Sequence, residues 1–195
     1  MGKIYTAMGL MSGTSLDGLD VSIIESDGKR EFSSILDRYF EYDKELIQKI
    51  LNIREKITDP DKLDKHLDEI EDLERKITLF NVEAVKETLE MSKSTVDLLG
   101  FHGQTIFHNS EKKITKQLGD GNLLSQLTKK KVVYNFRQND LDNGGQGAPL
   151  SPIFHNVIAN KINKKFNLGF PLNMLNIGGI SNITSTVSWE NLGRV

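Results

Sequence analysis

Residues 9–20 combine groups that bind anions with a backbone that can approach a ligand closely. The segment reads Gly-Leu-Met-Ser-Gly-Thr-Ser-Leu-Asp-Gly-Leu-Asp, two short apolar runs joined by a polar turn. Gly13 and Gly18 permit a positive φ and a close backbone approach, so several N–H groups can converge on phosphate oxygens. Thr14 and Ser15 add hydroxyl donors. The turn is therefore a candidate phosphate-binding loop.

Two carboxylates accompany this turn. Asp17 and Asp20 would repel a bare phosphate, but Mg²⁺ is typically held by one or two carboxylates together with phosphate oxygens. The segment therefore predicts binding of a nucleotide with Mg²⁺, and Asp17 is the candidate metal ligand. Ser, Asp and Gly are also the usual residues of an ordinary hairpin turn. These residues alone leave both interpretations open.

Composition limits the remaining function classes. A length of 195 residues predicts one domain, or one domain and part of another. The net charge of −2 lacks the basic surface that nucleic-acid binding needs. The absence of cysteine excludes disulfides, thiolate metal sites and cysteine nucleophiles, and it favours a cytoplasmic location. We find neither a signal peptide nor an apolar run of about 18 residues, so no membrane association is expected.

Hydrophobic periodicity predicts that three antiparallel strands open the chain. The polar turn joins strand-like segments 4–11 and 19–24 into a hairpin. A second turn, at Asp27 and Gly28, leads to a third strand over residues 32–40.

Helices are predicted to follow these strands. Asp43 is placed as the N-cap of a short helix. Thr58 and Asp61 resemble a capping box in front of one long amphipathic helix over residues 61–90. We interpret the charged face of that helix as solvated surface, and His66 beside it as a surface residue.

A second group of predicted elements alternates strands with helices. In chain order they are a strand over 96–100, a hairpin over 106–118, a helix over 122–128, a strand over 132–134, a helix from Ser151 to about residue 161, and two strands over 172–177 and 182–187. We predict that the strand over 132–134 is buried and delivers Arg137 and Asp140 to a loop. Residues 163–171 are predicted to be a linker.

Four motifs in sequence order identify a family. They are Met11–Asp20, His102-Gly-Gln-Thr105, Gly144-Gly-Gln-Gly-Ala-Pro-Leu150 and Leu175-Asn-Ile-Gly-Gly-Ile-Ser-Asn-Ile183. Together they resemble 1,6-anhydro-N-acetylmuramic acid kinase over nearly the whole chain. The resemblance implies a cytoplasmic enzyme of peptidoglycan recycling that uses ATP and Mg²⁺. Such an enzyme opens the 1,6-anhydro bond of 1,6-anhydro-N-acetylmuramic acid with water and phosphorylates the freed O6.

The same resemblance assigns site residues. The stretch that matches the ATP phosphate loop of the family comprises Gly13, Thr14, Ser15, Leu16, Asp17, Gly18, Leu19 and Asp20. The residues expected to face the sugar are His102, Gln104, Thr105, Arg137 and Asp140. We infer that the Arg137 guanidinium suits the lactyl carboxylate, because its fork matches a carboxylate in a bidentate way. Alternatively, Arg137 and Asp140 pair and brace the glycine-rich loop.

The chain departs from the family pattern at two positions. Phe101 stands where the family usually has a small residue before His-Gly-Gln-Thr, and Asn135 stands where an acidic residue usually precedes Phe-Arg. Both positions bear on the substrate preference rather than on the ATP loop.

The fold class that we expect is α/β, an actin-like or sugar-kinase (ribonuclease H-like) lobe with a mixed sheet. Residues 1–165 are expected to form this ATPase lobe, and residues 170–195 to begin a second lobe with a hairpin. The hairpins near 4–24 and 172–187 are similar to each other, as in the two-lobed actin and sugar-kinase architecture. A lone hairpin is marginal in water, so we expect residues 172–195 to be frayed or held by a partner.

The resemblance also implies that no catalytic residue lies in these 195 residues. In the family the general base is an aspartate of an Asp-x-Gly-Pro-Gly-Asn motif, which is expected after Val195. We therefore expect this polypeptide alone to be inactive and to need a complementing C-terminal polypeptide; a homodimer is a further expectation. A non-catalytic sugar- or phosphate-binding module is the alternative. An actin-like or chaperone-like lobe is disfavoured by the two middle motifs.

Overall fold

Fifteen elements make up the part of the chain that the computed structural model describes, residues 3–177 and 181–188. The strands are β1 (Tyr5–Ser12), β2 (Gly18–Ser26), β3 (Phe32–Glu41), β4 (Leu98–Phe101), β5 (Gln104–Asn109), β6 (Ile114–Leu118), β7 (Lys131–Tyr134), β8 (Leu172–Asn176) and β9 (Asn182–Thr186). The helices are α1 (Lys44–Lys56), α2 (Asp61–Lys65), α3 (Leu67–Ser92), α4 (Gly121–Thr128), α5 (Phe136–Asp142) and α6 (Pro152–Phe166).

A five-stranded mixed sheet in the order β3-β2-β1-β4-β7 organises the fold. The first three strands pair antiparallel, as the hairpin pattern predicted, whereas β4 and β7 run parallel to β1. Leu10 pairs with Phe101, which in turn pairs with Tyr134. Because parallel strands end at a common edge, the turn after β1 and the segments after β4 and β7 meet there. The α/β class with a mixed sheet is confirmed.

The core forms where the apolar faces of the sheet and of the helices meet. Leu19, Val21 and Ile23 alternate along β2 and are almost completely buried. The α1 helix begins as predicted, because the Asp43 carboxylate accepts from the Leu46 N–H at 2.8 Å. The long α3 helix contributes Ile77 to the same core.

The long predicted helix is interrupted. The first turn of α2 begins behind Pro60 without a side-chain cap, so the predicted capping box of Thr58 is wrong. His66, at φ −123° and ψ 25°, ends α2 before α3 begins. No side chain of α2 is fully buried, and the half-buried Leu63 is its apolar contact with the core. Amphipathic periodicity alone does not reveal such a break.

Two predictions about the segment after β4 need correction. The β7 strand pairs with β4 at the edge of the sheet and is mostly exposed rather than buried. Arg137 and Asp140 lie on α5 rather than in a loop. The physical reason is Asn135, whose φ of 63° turns the chain from β7 directly into the helix.

The last described elements are the predicted strand pair and the helix before it. The β8 and β9 strands pair antiparallel, and their turn lies outside the described residues together with residues 189–195. The α6 helix extends to Phe166, so it takes up part of the predicted linker. Ser151 precedes Pro152 as predicted but makes no side-chain cap. His155 Nδ1 lies 2.8 Å from Thr184 Oγ1, so the hairpin packs against α6. None of the described helices is both long and apolar enough to cross a bilayer.

Candidate active site

The turn after β1 is shaped by a buried leucine. Leu16 has a φ of 60° and is only 2% exposed, and its N–H lies 3.4 Å from the Gly13 carbonyl. The left-handed residue is therefore Leu16 and not Gly13 or Gly18, contrary to our prediction. Its side chain anchors the turn in the core, which leaves Thr14 and Ser15 exposed at the sheet edge. This arrangement presents the polar groups of the turn to solvent.

Gly18 serves close packing rather than an unusual φ. A Cβ placed there would lie 2.3 Å from the Phe40 carbonyl oxygen and 2.8 Å from the Tyr39 ring. The neighbouring backbone also holds the turn, because the Tyr42 N–H donates to the Asp17 carbonyl at 3.1 Å. On its outer side, Arg54 Nη1 donates to the Thr14 carbonyl at 3.2 Å. The turn is thus fixed from β3 and from α1.

A buried polar network supports the turn from below. Gln104 is completely buried, and its Nε2 donates to the Gly13 carbonyl at 3.0 Å. The Ser12 hydroxyl donates to Gln104 Oε1 and also lies 3.0 Å from the Gly18 carbonyl. Tyr42 donates to Ser12 at 2.9 Å, and burial raises the pKa of Tyr42 to about 12, so this hydroxyl stays protonated. The network ties the His-Gly-Gln-Thr motif directly to the turn.

Sequence reasoning missed Ser12 and Tyr42. Ser12 stands next to Gly13, so a signal existed in the motif itself. Tyr42 gave no signal, because its contact with Ser12 spans thirty residues.

The two carboxylates of the turn lie within electrostatic reach of each other. Ser15 Oγ donates to Asp17 Oδ1 at 2.6 Å. Partial burial raises the pKa of Asp20, and the charge of Asp17 raises it further. A cation between the two would relieve this repulsion, so the donor set suits Mg²⁺ shared with phosphate oxygens. Within residues 3–177 and 181–188, no group of three or more His, Asp or Glu side chains is arranged to hold a metal ion.

His102 is held as a neutral ring. Arg137 Nε donates to His102 Nε2 at 2.9 Å, so this nitrogen carries no proton, and His102 Nδ1 donates to the Gly103 carbonyl at 2.6 Å. Burial and then the charge of Arg137 lower the pKa of His102 to about 4. His102 therefore acts as a hydrogen-bond acceptor and carries no charge near neutral pH.

Arg137 and Asp140 both bind the glycine-rich loop. Arg137 Nη1 donates to the Gly147 carbonyl at 2.7 Å, and the Gly147 N–H donates to Asp140 Oδ2 at 2.8 Å. Both side chains thus brace the loop at Gly147, but within the described residues no salt bridge joins Arg137 to Asp140, so the predicted pairing of the two is not seen. The role of Arg137 towards a lactyl carboxylate stays a prediction.

Thr105 lies on the β5–β6 side of this motif. Its hydroxyl accepts from Gln117 Nε2 at 3.3 Å. The motif therefore sends three side chains to three neighbours: Gln104 to the turn, His102 to α5, and Thr105 to β6.

The two departures from the family pattern act mainly on the fold. Phe101 is 2% exposed and packs over Gly119, where a Cβ would lie 2.4 Å from the ring. Asn135 supplies the left-handed residue that starts α5, a conformation that Asn adopts more readily than most residues. Phe101 belongs to the core, and Asn135 acts through its backbone.

Comparison with known proteins shows the family. The family model described as anhydro-N-acetylmuramic acid kinase covers residues 5–191. The chain is 55% identical over 193 residues to the anhydro-N-acetylmuramic acid kinase of Pelagibacter ubique, which is 98% of this chain and 50% of the relative. It is 40% identical to that of Agrobacterium fabrum and 38% identical to that of Rhizobium etli, in each case over 94% of this chain and 50% of the relative. The chain spans about half the length of these curated relatives, and it belongs to the anhydro-N-acetylmuramic acid kinase family.

Proposed function

We propose that this chain forms the N-terminal, nucleotide- and sugar-binding part of an ATP-dependent kinase for 1,6-anhydro-N-acetylmuramic acid. The observation that carries the proposal is the hydrogen bond of 3.0 Å between Gln104 Nε2 and the Gly13 carbonyl. It joins the candidate phosphate loop to the candidate sugar motif at one edge of the sheet. Phosphoryl transfer needs donor and acceptor held together, and such positioning is the main contribution of a kinase site.

The turn is suited to the phosphate side of the reaction. Thr14 and Ser15 are exposed on a turn that Leu16 anchors in the core. Asp17 and Asp20 would hold Mg²⁺, which neutralises charge that develops on the transferred phosphoryl group. The polar network beneath the turn keeps its backbone in place without occupying its outer face.

Chemically, the proposed reaction consumes one water and one ATP. Water attacks the anomeric carbon, the bond between that carbon and O6 breaks, and O6 takes the γ-phosphoryl group of ATP. The products are ADP and N-acetylmuramic acid 6-phosphate. The resemblance assigns the base that takes the proton of water to the second half of the family length, so residues 1–195 supply binding and orientation.

The sheet supports the proposed actin-like or ribonuclease H-like assignment. Three antiparallel strands continued by two parallel strands, in the order β3-β2-β1-β4-β7, place both glycine-rich segments at one carboxyl edge. We propose that a second lobe, beginning near β8, closes over this edge and excludes water from the transferred phosphoryl group. The enzyme would then act in the cytoplasm during peptidoglycan recycling.

Complementation tests the activity. Residues 1–195 are assayed alone and together with the second half of the Pelagibacter ubique relative, as a separate polypeptide or fused behind Val195. We expect ATP-dependent formation of the sugar 6-phosphate, measured by mass spectrometry and ³¹P NMR, only in the complemented protein. Sugar binding by a folded complemented protein that forms no product would favour a non-catalytic module instead.

The ATP loop is tested separately by binding. Titration of the chain with ATP and Mg²⁺, followed by NMR, is expected to shift the amide signals of residues 13–20. Asp17→Asn should weaken this Mg²⁺-dependent binding by about tenfold or more, because it removes a charged oxygen ligand. The matched control is Asp37→Asn, since Asp37 lies on β3, is exposed and accepts from Ser34. Equal binding by the two variants would remove Asp17 from the site.

A further inference from the structure

Two side chains from one turn of α5 bind the backbone of Gly147, one at its carbonyl and one at its N–H. Arg137 donates to its carbonyl and Asp140 accepts from its N–H, at 2.7 and 2.8 Å. These two helical residues are three apart and therefore share a face. Asp140 also receives the Gly145 N–H on its backbone carbonyl at 2.8 Å. The glycine-rich loop over residues 144–147 is thus shaped by this helix.

The space around Gly147 permits no side chain. A Cβ there would lie 2.9 Å from His108 Cε1 and 3.0 Å from Leu141 Cγ, and Gly147 has a φ of 71°. Only glycine suits this position, because both its conformation and its surroundings exclude larger residues. The loop is therefore seated tightly between α5 and β5.

A second hydrogen bond of the Arg137 guanidinium orients it towards Gly147. Its Nε donates to His102 Nε2 at 2.9 Å while Nη1 reaches the loop, so the planar fork is oriented by two acceptors. A lysine ammonium lacks the rigid planar spacing between Nε and Nη1, so it does not reproduce this geometry. Only an unprotonated His102 Nε2 can accept this hydrogen bond.

We propose that His102 and Arg137 are positioning residues, in which the Nδ1–H tautomer of His102 orients Arg137 and Arg137 sets the shape of the glycine-rich loop. That this positioning helps to bind the sugar rests on the proposed function. A chain of contacts then runs from the phosphate turn through Gln104 to His102 on the same segment, and on to Arg137 and Gly147. Because of these contacts, displacement of one glycine-rich segment would displace the other.

The charged and titratable groups around His102 favour its neutral form. In the described part of the chain, the charged and titratable side chains around His102 and Gly147 are Arg137 and Asp140 on α5 and His108 on β5. Burial and the charge of Arg137 lower the pKa of both histidines. A neutral His102 is thus maintained by the residue that it orients.

NMR of the 195-residue chain tests the proposal without any turnover. We expect long-range ¹H–¹⁵N correlations to place the His102 proton on Nδ1 from pH 5 to 8, and the Gly147 amide to exchange slowly with solvent. Arg137→Gln should speed this exchange by about tenfold, as the loss of one charge-assisted hydrogen bond implies, and should move the pKa of His102 upwards. Arg137→Lys should not rescue the loop.

Conservative replacement of His102 supplies the decisive comparison. His102→Gln keeps an oxygen that can accept from Arg137 and should preserve slow exchange at Gly147, whereas His102→Leu should speed it. Arg38→Gln is the matched control, because Arg38 pairs with Glu87 and lies on β3, at the opposite edge of the sheet from β7. A proton on Nε2 of His102 in the unmodified chain, or unchanged Gly147 exchange in Arg137→Gln, would overturn the proposal. Failure of the kinase assays would leave these readouts unaffected.

Discussion

At the scale of single residues, several side chains of the candidate site hold backbone groups of the two glycine-rich segments in place. Gln104 supports Gly13, Arg137 supports Gly147, and Asp140 completes the second grip. The sequence motifs singled out these three residues for the sugar side of the site, which stays a prediction, and the structure adds their contacts with the backbone. A buried polar side chain is costly unless its partners are in place, so such residues are sensitive to substitution.

Gln104→Leu is expected to lower the free energy of unfolding by about 1–3 kcal/mol. The variant removes the side-chain donor to the Gly13 carbonyl and one of the two acceptors of the Ser12 hydroxyl, and the loss of buried hydrogen bonds carries a desolvation cost. Urea unfolding followed by circular dichroism measures the change. Gln48→Leu is the control, because Gln48 is exposed on α1, and its effect should stay within about 0.5 kcal/mol. Equal losses in both variants would contradict the buried network.

His102 is expected to make stability fall as the pH drops. Its pKa is about 4 in the folded chain and 6.5 ordinarily, so between these values the unfolded chain binds a proton that the folded chain does not. Protonation then favours unfolding, by up to about 1.4 kcal/mol per pH unit. Urea titrations from pH 4 to 7 should show a shallower slope in His102→Gln than in His66→Gln. Parallel curves for the two variants would show that His102 titrates normally.

At the scale of elements, local sequence patterns predicted most of the strands and helices, and the predictions that were wrong share one cause. The three opening strands, the Asp43 cap and the strands at 172–176 and 182–186 follow local patterns and are confirmed. The break at His66 and the exposed β7 edge depend on what each element packs against. Local periodicity contains no information about neighbours distant in sequence, so neither could be read from it.

Gly18→Ala is expected to destabilise the hairpin strongly, by about 1–3 kcal/mol, since the new Cβ would overlap the Phe40 carbonyl. Gly9→Ala on the neighbouring strand is a matched control, because a Cβ there meets nothing within 4 Å. Thermal unfolding by calorimetry compares the two. A smaller loss in Gly18→Ala than in Gly9→Ala would mean that β2 and β3 do not approach as closely as the structure has them.

At the scale of the whole molecule, one end of the fold presents apolar surface. Leu175, Ile177 and Ile183 near the β8–β9 hairpin are each more than 60% exposed, whereas the other face of the hairpin packs against α6. Exposed apolar patches beside unpaired strand edges favour association with another polypeptide.

A polypeptide of residues 1–195 is therefore expected to self-associate with increasing concentration. Ile183→Lys should shift sedimentation velocity profiles towards the monomer, because a charge on this surface opposes apolar contact. The control is Ile35→Lys, because Ile35 is 41% exposed and lies on β3 rather than on the hairpin. Identical association by both variants would place the contact elsewhere.

By itself the sequence determined the family, the order of the elements and the positions of the two glycine-rich segments, because motifs, turn residues and periodicity are local properties of a chain. Only the tertiary structure decided that the left-handed residue of the first turn is Leu16 and that Arg137 and Asp140 clamp Gly147. It alone revealed the hydrogen bond between Ser12 and Gln104, residues that lie 92 positions apart. Such contacts arise from the parallel pairing of β1 with β4, which brings distant segments to one edge of the sheet.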